Sequence, residues 1–124
     1  MYHTIYIKSM TKMKTFQELE TIKNIEHFID KHQLTFLYFS HPNCSVCQGL
    51  LPQVQQMMNN YPNIQLGHIN TRKTPEVAGY FSVFTVPVLL LFVNGKEYIR
   101  KARIVHMNLL EEKIKKIYDL LTDY

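Results

Sequence analysis

Leu34-Thr35-Phe36-Leu37-Tyr38-Phe39 runs into Ser40-His41-Pro42-Asn43 and then into Cys44-Ser45-Val46-Cys47, and the reading of this stretch decides the fold. Its opening is uncharged and rich in aromatic and apolar residues, as suits a strand buried on both faces. The polar residues and the proline that follow break the strand. Beyond them Leu50, Leu51, Val54, Met57 and Met58 fall at helical spacing, so a helix is expected from about Ser45 to Asn60, kinked at Pro52. A strand therefore passes into a helix through a short turn, with both cysteines of the chain on the first helical turn.

Upstream, Ile22, Ile25 and Ile29 recur on one face with Phe28 beside them, which predicts a helix over residues 22–31. Thr21 is its expected N-cap, and Thr15 with Glu18 offers a capping box for an earlier start. Residues 1–14 read as a peripheral segment in which Thr4 to Ile7 could form an edge strand, and residues 15–124 as one domain. Downstream, Tyr61-Pro62-Asn63 turns the chain into a strand around Ile64 to Ile69. Thr74-Pro75-Glu76 opens a short helix with Thr74 as cap and Pro75 at the first position. Val86 to Val93 reads as a central strand with Pro87 at its start, and Asn94-Gly95 folds it back on about Glu97 to Ile104. Asn108 and Glu111 form a capping box for a last helix, striped by Leu110, Ile114, Ile117 and Leu121.

The element order is α-β-α-β-α-β-β-α. Strands separated by helices are expected to run parallel and the last pair antiparallel. This is an α/β class: a mixed central sheet flanked by helices on both faces.

Composition agrees with a single domain. The chain has 124 residues, 46% hydrophobic and 19% charged, a globular balance. Its formal charge is +4, but the basic residues Arg100, Lys101, Arg103, Lys113, Lys115 and Lys116 are interrupted by Glu111, Glu112 and Asp119. No contiguous basic patch is visible, so no nucleic-acid partner is expected. No apolar run has membrane-spanning length, and the start lacks the apolar region of a secretory signal, so the expectation is a cytoplasmic protein without a membrane partner.

A cysteine at a helix N-terminus faces unsatisfied N–H groups and the positive end of the helix dipole, both of which favour a thiolate. Cys44 is therefore the expected nucleophile and Cys47, one turn deeper, the resolving thiol. His41 is the candidate that would lower the pKa of Cys44. His41, Cys44 and Cys47 could also present three soft-metal ligands, but a structural zinc site needs four, and no metal is expected.

Three features resemble the thioredoxin superfamily: Cys44-Ser45-Val46-Cys47; Pro52 in the helix that follows; and Thr85-Val86-Pro87-Val88-Leu89-Leu90-Leu91-Phe92 ahead of Asn94-Gly95-Lys96. The similarity spans roughly residues 21–122. It implies a thioredoxin fold and a thiol–disulfide oxidoreductase that reduces protein disulfides. It also implies no cofactor other than a redox-active Cys44–Cys47 disulfide, and as partners disulfide-containing proteins and an electron donor. By the same resemblance Pro87 is cis and faces the dithiol, and the Val86 backbone pairs with an extended substrate segment. The alternatives are a non-catalytic interaction module built around Val86-Pro87 and a redox-sensing or metal-binding variant.

The chain also departs from the family. Asn43 replaces the tryptophan before the first cysteine, and Ser45-Val46 replaces Gly-Pro. Tyr38 aligns with the buried aspartate that helps to move the resolving thiol's proton, Leu66 lies near the partner lysine, and Arg103 or Ile104 near a glycine. A phenol is a poor base near neutrality. That leaves His41, the only histidine beside the cysteines in sequence, as the expected helper.

Overall fold

A computed structural model describes residues 14–122. The elements are β1 (Gln17–Glu18), α1 (Ile22–Lys31), β2 (Leu34–Ser40), α2 (Ser45–Met58), β3 (Gln65–Asn70), α3 (Val77–Phe81), β4 (Val88–Val93), β5 (Lys96–Ala102) and α4 (Met107–Thr122). The strands form one sheet in the order β1-β3-β2-β4-β5. β1, β3 and β2 are parallel, whereas β4 is antiparallel to β2 and β5 to β4.

The direction of β4 corrects the expectation that strands separated by helices run parallel. α3 has only 5 residues, a rise of about 7.5 Å at 1.5 Å per residue. It cannot carry the chain back along a strand of about 20 Å. The chain stays at the end where β3 finishes, and β4 starts there with Val88 paired to Phe39. This brings Val86-Pro87 to the end of the sheet from which β2 passes into the cysteine loop.

Alternation along β2 divides the core. Leu34, Phe36 and Tyr38 pack with Leu50, Val54, Met58, Leu110 and Ile114 under α2 and α4. Leu37 and Phe39 pack with Ile25, Phe28, Ile29 and Val77 under α1 and α3. Helices therefore cover both faces, as in the thioredoxin fold. Gly67 permits the close approach on the second face. A Cβ there would lie 2.7 Å from Leu19 Cδ1, 3.0 Å from Leu37 Cδ2 and 3.1 Å from Phe28 Cε2.

Several boundaries move for local reasons. Thr21 Oγ1 accepts from Asn24 N at 3.0 Å and starts α1, while Glu18 lies in β1, so the Thr15–Glu18 capping box is not formed. Thr74 does not cap α3. Its hydroxyl donates to Glu20 O at 2.7 Å, and Glu76 occupies the cap. α2 ends at Met58, with Asn59 as its C-cap. β4 begins at Val88, two residues after the expected start at Val86. β5 ends at Ala102 because Arg103, at φ 67°, turns out of the sheet. α4 begins at Met107, with Leu110 N donating to His106 O, so Asn108 lies inside the first turn instead of capping it. The Asn94-Gly95 hairpin forms with φ 49° and 84°, the paired positive values that a tight hairpin requires. Thr4 to Ile7 lies outside the described residues.

Candidate active site

The loop after β2 is closed by its own polar atoms. Cys44 N donates to His41 O at 3.1 Å, Asn43 N to His41 Nδ1 at 3.2 Å, and Gln48 Nε2 to Pro42 O at 3.2 Å. These bonds set Cys44 as the N-cap of α2 in extended conformation, where its Sγ accepts from Cys47 N at 3.1 Å. A sulfur so placed meets an amide donor and the helix dipole, and both favour its anionic form. Cys44 and Cys47 are joined in a disulfide with Cα atoms 5.2 Å apart. Cys44 is half-buried, whereas Cys47 is only 2% exposed.

Beneath the pair, Tyr38 is fully buried and its hydroxyl donates to Cys47 O at 2.7 Å. Burial pushes the phenol up to about 12, so it is a neutral donor at physiological pH. At the position that the resemblance assigns to an acid, this chain has a residue that holds the helix backbone.

The Val86–Pro87 peptide bond is cis. Val86 is half-buried, and with His41, Thr71, Phe84 and Thr85 it lines a cavity of about 190 Å³. Pro87 O accepts from Arg103 N at 2.8 Å, which ties the end of β5 to the same region. Phe84, which lines that cavity, is exposed, as are the apolar side chains of Val46 beside the cysteines in sequence and Ile104 after Arg103. The structure thus brings Cys44, Cys47, His41 and Val86 to one end of the sheet. Among the described residues, no group of three or more His, Cys, Asp or Glu side chains is placed to hold a metal ion.

Sequence reasoning missed His68. It lines a second cavity of about 190 Å³ together with Ser40, His41 and Cys47. Its Nε2 is 2.6 Å from Ser40 Oγ and its Nδ1 is paired with Glu18 Oε2. The ring lies over that of Tyr38, with centroids 6.2 Å apart and planes 30° from parallel. Strand register is the cause, since His68 is the Cα partner of Tyr38 on one side and of Glu18 on the other. One signal was available: His68 follows Leu66 by two residues, which places both on one face of a strand.

Comparison with known proteins bears on this arrangement. The thioredoxin family model matches residues 13–116. The chain is 51% identical over 108 residues to the thioredoxin-like protein YdfQ of Bacillus subtilis (strain 168), covering 87% of this chain and 96% of that one. It is 26% identical over 94 residues to a thioredoxin of Chlamydia pneumoniae, covering 76% and 91% respectively. The oxidized form of mitochondrial thioredoxin 3 from Saccharomyces cerevisiae superposes with a TM-score of 0.72 at 19% identity, over 87% of this chain and 98% of that one, a likeness of fold.

Proposed function

The chain belongs to the thioredoxin family and is a thiol–disulfide oxidoreductase, and from that premise we propose that it reduces protein disulfides with Cys44 as nucleophile and Cys47 as resolving thiol. The observation that carries the assignment is the contrast between the two sulfurs. Cys44 is the accessible one and caps α2 within reach of an amide donor, while Cys47 is buried one turn along.

The reaction balances as two exchanges. The Cys44 thiolate attacks one sulfur of the substrate; the Cys44–substrate bond forms, the substrate disulfide breaks, and the departing sulfur keeps the electron pair and takes a proton. Cys47 then loses its proton and attacks Cys44 Sγ. The mixed disulfide breaks and the second substrate sulfur leaves as a thiolate, to be protonated. The substrate gains two electrons and the protein ends as the Cys44–Cys47 disulfide. An electron donor must reopen it before the next turnover.

Val86-Pro87 is the proposed edge on which an extended substrate segment lies. The exposed apolar side chains of Val46, Phe84 and Ile104 support this role. His41, which holds the loop ahead of Cys44, is the proposed modulator of its pKa. Two closely spaced cysteines suit a reducing compartment, in keeping with a cytoplasmic reductase.

Insulin precipitation driven by dithiothreitol tests the reading. The full chain should accelerate precipitation, Cys44→Ser should lose the effect, and Cys47→Ser should accumulate a mixed disulfide visible by mass spectrometry. A chain that binds substrates without accelerating their reduction would point to an interaction module.

A further inference from the structure

We propose that His68, oriented by Glu18 and bonded to Ser40, accepts the proton that Cys47 must lose in the resolving step. The proposal rests on the assignment of Cys47 as resolving thiol.

The need is set by burial. Cys47 is shielded from bulk solvent, and only its thiolate attacks a disulfide. Tyr38 below it cannot serve, because its hydroxyl is a neutral donor committed to Cys47 O. His41 is poorly arranged for the task. Its Nδ1 accepts from Asn43 N, so the neutral ring carries its proton on Nε2 and has no lone pair to offer without breaking the loop.

His68 has the opposite arrangement. The Glu18 carboxylate holds the Nδ1 proton, which leaves Nε2 as the basic nitrogen, and Nε2 points to Ser40 Oγ at 2.6 Å. A base oriented by a carboxylate through its far nitrogen is the arrangement that activates nucleophiles elsewhere. Ser40 is itself buried, and Ser40, His68 and Cys47 line the same cavity. Its volume of about 190 Å³ has room for solvent.

In the step, the Cys47 proton passes to Nε2 through the Ser40 hydroxyl or a solvent molecule. The Cys47–Cys44 bond forms, the Cys44–substrate bond breaks, and the electron pair leaves with the substrate sulfur. The imidazolium, stabilised by Glu18, then returns the proton to that thiolate. The titratable groups around His68 are Glu18 from β1, Tyr38 from β2, Cys47 from α2 and His41 from the loop across the cavity. Glu18 is a positioning residue, and β1 exists in the right register to supply it.

Stopped-flow reaction of the reduced full chain with dithiobis(nitrobenzoate) isolates the step. The first nitrothiolate is released when Cys44 attacks and the second when Cys47 resolves, so the two phases separate the two thiols. The second phase should rise with pH before ordinary thiols ionise. His68→Gln should slow it about 10-fold at neutral pH and move the rise above pH of about 8, where ordinary thiols ionise. Glu18→Gln, at an exposed position, should slow it about 3-fold. A second phase in His68→Gln that matches the parent, or that is slower by one factor at every pH, overturns the proposal. Should His68→Gln not fold, parent-like second phases in both Glu18→Gln and Ser40→Ala overturn it. Absence of any nitrothiolate release from the parent overturns instead the dithiol reading beneath it.

Discussion

The Tyr38 hydroxyl reaches the Cys47 carbonyl at 2.7 Å inside the core, and one atom thereby couples the centre of the sheet to the redox helix. Tyr38→Phe removes this hydrogen bond from the core. The expected cost is about 1–2 kcal/mol, read as a lower urea midpoint with an unchanged slope. The same residue sets an alkaline limit. Burial pushes both Tyr38 and Tyr61 up to about 12, above the ordinary value of about 10 that an unfolded chain restores. Their stabilising effect is therefore complete below pH of about 10 and lost as pH rises through about 12. Melting temperature should fall across that window, and less steeply in Tyr38→Phe. At this scale the placement of the cysteines was legible, because it follows from spacing and from the strand-to-helix boundary. His68 was not legible. Its partners Glu18, Ser40 and Tyr38 come from two other strands, and only register makes them neighbours.

β4 shows how an element's length decides where chemistry can occur. A short α3 forces the chain to re-enter the sheet at the end where β2 leaves it, and Val86-Pro87 arrives opposite the cysteine loop. α1, α2 and α4 were legible because each shows an apolar stripe at a 3.6-residue period, whereas α3 was read only from the start signal Thr74-Pro75-Glu76. β1 was not, since its two residues are both exposed and carry no alternation. Its place depends on Gly67, its parallel partner, which makes room for Leu19 against Phe28 and Leu37. Gly67→Ala should overpack this contact and cost about 1–3 kcal/mol, measured by urea unfolding. Because β1 also carries Glu18, the variant should slow the second nitrothiolate phase as well. A variant with parent stability and parent kinetics would mean that β1 does not depend on that close contact.

Among the described residues the molecule is a five-stranded sheet between two helical layers, with its reactive end where β2 and β3 finish and β4 begins. That mixed sheet and its two layers could be read from the order of apolar segments, whereas the direction of β4 could not, since it depends on a helix length that the sequence signals blur. The central claim is that this end presents one accessible thiol and one shielded thiol. Brief iodoacetamide labelling of the reduced chain at mildly acidic pH, followed by peptide mass mapping, tests it most directly. The account predicts modification at Cys44 with Cys47 untouched. Preferential labelling of Cys47, or equal labelling of both, would contradict it.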